Sequence, residues 1–383
     1  MSGHVDTPIG GSCDARFARV REEFARNFTE RDERGGAVAI WHEGRLVADL
    51  WGGWSDVART VPWRHDTIVN FFSVSKALCA IACMRLVDDG RLDLDAPVAR
   101  YWPAFAASGK EAITVRQLLS HQAGLPAIRK PLSDGAALDW TVMVEALAEQ
   151  APWWVPGSGH GYHVNTFGFL AGELVRLVDG RTIGTLLRED VAGPLGADFH
   201  IGLPEREHHR VSDFLWPGNP EKPQIANDTM LMHWNTYWNP PGFSGSHWVN
   251  DPRWRAAEVP STNGHGDARG IARVYAALAN GGAIDGVHIL SGDALVAATT
   301  EQVNGHDIIN NRPSRFGIGF QLTQPERPLG PNPGAFGHFG AGGSLGFCDP
   351  QARIAFGYVT NDMGPRWQNP RNRALLDAVY AAL

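Results

Sequence analysis

Strand-like patterns stand at both ends of this 383-residue chain, and helix-like patterns fill its middle. A strand cannot satisfy its own backbone polar groups. The two ends are therefore expected to meet in one sheet, with the helical stretch inserted between them. Near the start, Phe17, Val20, Phe24 and Phe28 recur at helical spacing. Residues 36–41 and 46–51 then read as two strands turned by His42-Glu43-Gly44-Arg45. Near the end, residues 316–322, 335–340, 344–349 and 354–360 read as strands, followed by a helix over 371–383. Between them, helical patterns cover a run from Lys76 that stops at Gly90, then 115–120, 140–149, 166–178 with Gly180 as its stop, and 270–280. Residues 210–262 are rich in Pro, Gly, Asn and Trp and read as a long ordered loop region, since disordered segments are poor in aromatics. The expected architecture is α/β (α+β). Residues 1–75 and 266–383 form a discontinuous sheet domain, residues 76–265 form a mostly helical one, and the site lies between them.

The pair Ser73 and Lys76 carries the chemistry. Residues three apart on a helix share a face, so the lysine amine can reach the serine hydroxyl, which is a poor nucleophile until a base takes its proton. The chain has 16 serines and only four lysines, so the spacing is not a common accident here. Phe71 and Phe72 just before Ser73 remove water from the neighbourhood, which lowers a lysine pKa toward the range of a useful base. A second serine motif competes. Gly342-Gly343-Ser344-Leu345-Gly346 matches Gly-x-Ser-x-Gly, but that elbow needs a strand, a tight turn and then a helix. The flanks of Ser344 read strand, turn, strand, so Ser344 is set aside as nucleophile.

Composition narrows the rest. A net charge of −7 and a pI of about 6.1 give no basic footprint for nucleic acid. No stretch approaches the apolar length of a membrane span, and no secretory leader pattern is visible at the start, so a cytoplasmic location is expected. Cys13, Cys79, Cys83 and Cys348 are too few and scattered for a disulfide framework. There is no His-Glu-x-x-His zinc signature, phosphate loop or dinucleotide fingerprint, so neither metal nor cofactor is expected. His208 and His209 read as surface and His121 as structural, while Asn263 and Gly264 are candidates to line the site.

Five segments together resemble the serine β-lactamase and penicillin-binding-protein superfamily, its class C-like branch and within that the family VIII carboxylesterases. They are Phe72-Ser73-Val74-Ser75-Lys76; the run from Ile113 to Leu125; Pro156-Gly157 with Gly161-Tyr162-His163; Ala192-Gly193-Pro194-Leu195-Gly196; and the run from Gly337 to Ser344. The resemblance implies a β-lactamase-like fold, an antiparallel sheet flanked by helices. It implies that Ser73, Lys76 and Tyr162 are catalytic, with Tyr162 sharing the base work. The tyrosine is expected to lean toward phenolate beside the lysine. It further implies an oxyanion hole from the backbone N–H groups of Ser73 and Ala341, and a site wall from His338, Phe339 and Gly340. Two departures bear on substrate. Val164 stands where β-lactamases of this kind have Asn, with Asn165 one step late. His338-Phe339 stands where many members have Lys-Thr, leaving His338 to replace some of the charge. Both favour a less polar substrate, with Trp238 a candidate wall of an apolar pocket. The expected reaction is hydrolysis of short-chain carboxylic esters, with a small-molecule ester as substrate and neither nucleic acid nor membrane as partner. β-Lactamase, D-aminopeptidase or acyltransferase chemistry at the same residues is the alternative, and a non-catalytic acyl-binding protein is a third possibility.

Overall fold

Nine strands, all antiparallel, join the two ends of the chain in one sheet. In a computed structural model that describes residues 7–364 and 367–383, their order is Ile9–Cys13, Arg45–Gly53, Gly35–His42, Ile354–Thr360, Leu345–Asp349, Phe336–Phe339, Gln321–Leu322, Arg312–Phe316 and Val303–Asp307. The junction between the ends is the pairing of Ile354–Thr360 with Gly35–His42, in which Tyr358 faces Val38 and Gly357 faces Ala39. The hairpin expected from the sequence is present. Glu43 and Gly44 both take positive φ at its tip, as a tight two-residue turn requires.

The period of two along these strands sorts two layers. Val38, Ile40, Phe356 and Tyr358 pack with Phe17, Val20 and Phe24 beside the helix Ala18–Glu30 and with Leu375, Leu376 and Val379 of the helix Pro370–Tyr380. Ala37, Ala39, Ala355 and Val359 face the other way and share a core with the helix Ala268–Ala279. Small residues on that face let the helix lie close. A Cβ on Gly357 would come 2.2 Å from Ala268 O, and one on Gly346 would come 2.3 Å from the Tyr275 ring.

That second core continues into the middle of the chain, around the helix Ser75–Asp88. Nearly all its residues are buried, so its polar positions have no water to turn to. Cys79 and Cys83 lie among them as free thiols, and both are pushed up in pKa by burial. The helix Thr166–Asp179 packs against Ser75–Asp88 and ends at Gly180 with φ +92°, as its sequence stop predicts. A small second sheet pairs Val69–Asn70 and Phe199–His200 with His265–Gly266.

Three expectations need correction. Residues 210–262 are not loop throughout. They hold the helices Asp228–Trp238 and Pro252–Ala256, the first capped by the Asn227 side chain on Met230 N. The strand expected over 316–322 is broken, because Gly319 turns at φ +68°, leaving Arg312–Phe316 and Gln321–Leu322. The strands Ile9–Cys13 and Val303–Asp307 at the two sheet edges were not expected at all. No helix among the described residues is long and apolar enough to cross a membrane.

Candidate active site

Ser73 sits in a short 3-10 turn, Phe72–Val74, at the entrance to the helix Ser75–Asp88. The turn is sharp, since Phe72 takes φ +50°, an uncommon backbone state for a residue with a side chain. Side chains around it hold it there. Asn70 Nδ2 donates to Thr262 O at 2.9 Å, and Asn70 Oδ1 accepts from the Trp254 indole at 3.0 Å. Ser75 Oγ donates to Phe72 O and accepts from Gly264 N. The neighbouring serine is thus spent on backbone groups, while Ser73 Oγ faces Lys76.

Lys76 Nζ lies 3.0 Å from Ser73 Oγ and 3.0 Å from Ser261 O. Its side chain is wholly buried, and burial drives its pKa well below the ordinary lysine value. A neutral amine can accept the serine proton. Tyr162 is also wholly buried, with Lys76 Nζ 4.8 Å from its ring centroid. Its ring stacks on Phe316 at 5.8 Å and 9°. Here the expected charge state is corrected. Burial raises the Tyr162 pKa, and the Ser73 hydroxyl offsets that only in part. The phenol is therefore neutral and suited to give a proton, which leaves the lysine as the stronger base.

The strand Phe336–Phe339 runs beside this turn. A Cβ on Gly340 would come 2.3 Å from Phe71 O, so only glycine lets the strand end meet the turn that presents Ser73. Ala341 follows in a 3-10 turn, Ala341–Gly343. His338 is buried in the same neighbourhood, its ring 5.9 Å from that of Tyr162. Burial pushes its pKa down to about 3, so it supplies no positive charge in place of a lysine. Its Nδ1–H donates to Phe339 O at 2.7 Å, which leaves Nε2 as an acceptor with no partner among the described residues. Phe339 alternates to the opposite face. Its side chain packs with Val38, Ile40 and Leu345, away from Ser73.

Other candidates are placed differently from the sequence reading. Trp238 stacks on Trp234 at 5.7 Å, and both line a groove of about 430 Å³ with Leu132, Leu231 and Pro241. Among the described residues, the walls of that groove do not include Ser73, Lys76 or Tyr162. The preceding residue on the same helix, Tyr237, packs beside Tyr162 instead, in an apolar cluster with Val164, Met232 and Ile309. Asn263 does not line the site. Its side chain bonds Trp254 O, Ala257 O and Val259 N, shaping the loop that carries Ser261. Asn165 is also fully used, by Thr236 O, Ser244 Oγ and Thr262 Oγ1. His121 is buried and structural in placement, its Nδ1 accepting from His163 N. Ser344 is buried, and the strand Leu345–Asp349 follows it, not a helix. Ser261 and Tyr237 belong to the site and lie in no motif. Only proximity in the fold reveals them. No cluster of potential metal ligands occurs among the described residues.

The profile of the Beta-lactamase family matches residues 23–381. The chain belongs to the β-lactamase family. Within this family the chain is similar to esterase-named members and to a penicillin-binding protein homologue. Esterase/beta-lactamase LipL of Mycobacterium tuberculosis is 37% identical over 362 residues, covering 92% of this chain and 83% of that protein. Among solved structures, a family VIII carboxylesterase superposes with TM-score 0.91 at 42% identity, covering 98% of this chain and 100% of that one. A penicillin-binding protein homologue from Caulobacter crescentus superposes at 0.90 with 41% identity and coverage of 98% and 100%. The β-lactamase-like fold expected from the five sequence segments is the fold observed.

Proposed function

We propose that this β-lactamase-family chain is a serine carboxylesterase that hydrolyses short-chain carboxylic esters through an acyl-enzyme on Ser73. The observation that carries the reading is the buried Lys76 amine, 3.0 Å from Ser73 Oγ and depressed in pKa by its burial. Lys76 takes the Ser73 proton as Oγ attacks the ester carbonyl. The backbone N–H groups of Ser73 and Ala341 receive the developing oxyanion. Tyr162 then protonates the departing alkoxide and recovers a proton from Lys76. Water, deprotonated by Lys76, then releases the acid, and Lys76 returns that proton to Ser73 Oγ. The reading draws support from the likeness to a family VIII carboxylesterase and to proteins named as esterases.

The substrate class follows from what the site lacks. A β-lactam's carboxylate calls for a cation, and His338 is neutral. Its side-chain amide calls for a donor at position 164, where Val164 packs among Tyr162, Met232 and Ile309. Polar groups buried there without partners lose affinity, whereas an alkyl ester carries few of them. Ser73→Ala, assayed on p-nitrophenyl butyrate, is expected to lose turnover by on the order of 10⁴-fold or more. Undiminished turnover overturns the assignment.

β-Lactamase, D-aminopeptidase or acyltransferase chemistry at the same residues is the second reading, and the relative named for both esterase and β-lactamase favours the first of these. Nitrocefin turnover equal to ester turnover would select the first of these. We also infer a division into residues 1–75 with 266–383 and residues 76–265, and a cytoplasmic location, in keeping with four free thiols.

A further inference from the structure

Asp307 ends the edge strand Val303–Asp307, and its side chain is completely buried. A buried carboxylate is costly unless its oxygens are fully hydrogen-bonded. Oδ1 accepts from Ile309 N at 3.0 Å and Asn310 N at 2.9 Å, which caps the turn leading into Arg312–Phe316. Oδ2 accepts from Asn310 Nδ2 at 3.1 Å and Ser314 Oγ at 2.9 Å. A turn of this kind needs no more than that. Yet Oδ1 also accepts from Tyr162 N at 3.1 Å, across 145 positions of sequence.

Two further ties run between the same segments. Ile308 N donates to His160 O at 3.0 Å, and the His160 ring lies 2.9 Å from Ser314 Oγ, which itself donates to Asp307. The other arm of the hairpin supplies Phe316, stacked on the Tyr162 ring. The hairpin 303–316 thus grips Tyr162 at its backbone through Asp307 and at its ring through Phe316. Tyr162 itself begins no helix or strand; this edge hairpin grips it on one side, while His121 accepts from Gly161 N and His163 N on either side of it and sets its own ring 5.1 Å from that of Tyr162.

We propose that Asp307 is the positioning residue for Tyr162, setting through the tyrosine backbone where the phenol stands relative to Ser73 and the leaving group. The inference rests on the reading of Tyr162 as the proton donor to the departing alcohol. The negative charge of Asp307 acts in the same direction, since it adds to the burial that keeps the phenol protonated. A displaced phenol fails only where a proton must be given. A p-nitrophenolate departs without one, whereas an alkoxide does not.

The test compares kcat on p-nitrophenyl butyrate with kcat on ethyl butyrate for the wild type, Asp307→Ala, Asp307→Asn and Tyr162→Phe, with melting curves to confirm folding. Tyr162→Phe is expected to lose at least ten times more on the ethyl ester than on the aryl ester. Asp307→Ala should show the same split with KM little changed, and Asp307→Asn, which keeps an acceptor oxygen, should restore most of it. If Asp307→Ala does not fold, Asp307→Ser takes its place, because a serine can cap the local turn without reaching Tyr162. Equal losses on both esters in the Asp307 variants, while Tyr162→Phe shows the split, overturn the positioning role alone. No split in Tyr162→Phe overturns the proton-donor reading on which it rests.

Discussion

Lys76 Nζ stands 4.8 Å from the centroid of the Tyr162 ring. Both groups are wholly buried, and burial pushes their pKa values apart in opposite senses. The amine falls and the phenol rises, so the resting pair is neutral amine and neutral phenol. On the proposed reading this division separates base from acid, with burial its largest cause and the Asp307 charge adding to it at the phenol.

Replacing Lys76 with Met should lower kcat on a short-chain ester by on the order of 10²–10⁴-fold. It should also stabilise the fold by roughly 1–2 kcal/mol near neutral pH, because a buried amine gives way to an apolar chain. The sign with pH follows from linkage. Between the depressed folded pKa and the unfolded value of about 10.4, the unfolded chain holds the extra proton, so wild-type stability rises with pH across that window. The stability gap between Lys76→Met and wild type should therefore close as pH rises toward the unfolded value. Denaturation curves at several pH values check this, and a gap that widens contradicts it.

Burial pushes the His338 pKa down to about 3, so the ring is neutral between pH 5 and 8. The kcat/KM profile between pH 5 and 8 should accordingly keep its shape in His338→Gln, whatever happens to its height. An acid limb near the ordinary histidine value, present in wild type and absent in the variant, would count against a neutral His338.

Ser344 Oγ is buried with no hydrogen-bond partner among the described residues. Ser344→Ala should leave ester turnover within about twofold and leave the melting temperature unchanged or slightly raised, by up to about 1 kcal/mol of stability. A dead, folded enzyme would restore Ser344 as a nucleophile.

Gly346→Ala should destabilise without touching the chemistry. The new Cβ would stand 2.3 Å from the Tyr275 ring and 2.7 Å from Ile271 Cγ2, prising the helix Ala268–Ala279 off the sheet at a cost of about 1–3 kcal/mol. A lower denaturation midpoint with unchanged kcat per folded molecule is the expected result.

Local patterns carried part of this molecule well. Gly180 marked a helix end, Ile354–Thr360 alternated as a two-faced strand, and Ser73 with Lys76 declared themselves by helical spacing. The helix Asp228–Trp238 escaped because Pro217, Gly218, Pro220 and Pro223 precede it and Pro240, Pro241 and Gly242 follow it, and its aromatics face both the groove and Tyr162. Tyr237, Ser261 and Asp307 could not be found from spacing at all. Each reaches the site from a separate segment, and only the packed fold brings them together. The alternation of His338 and Phe339 was legible in principle from the strand period, yet it sends Phe339 into the opposite core.

The central claim is that Ser73 carries the acyl group. Acid-quenched enzyme from the steady state with p-nitrophenyl butyrate, digested and weighed by mass spectrometry, tests it most directly. The account predicts one butyryl group on the peptide containing Ser73, absent in Ser73→Ala. A butyryl group on the Ser344 peptide, or one that persists in Ser73→Ala, would contradict it.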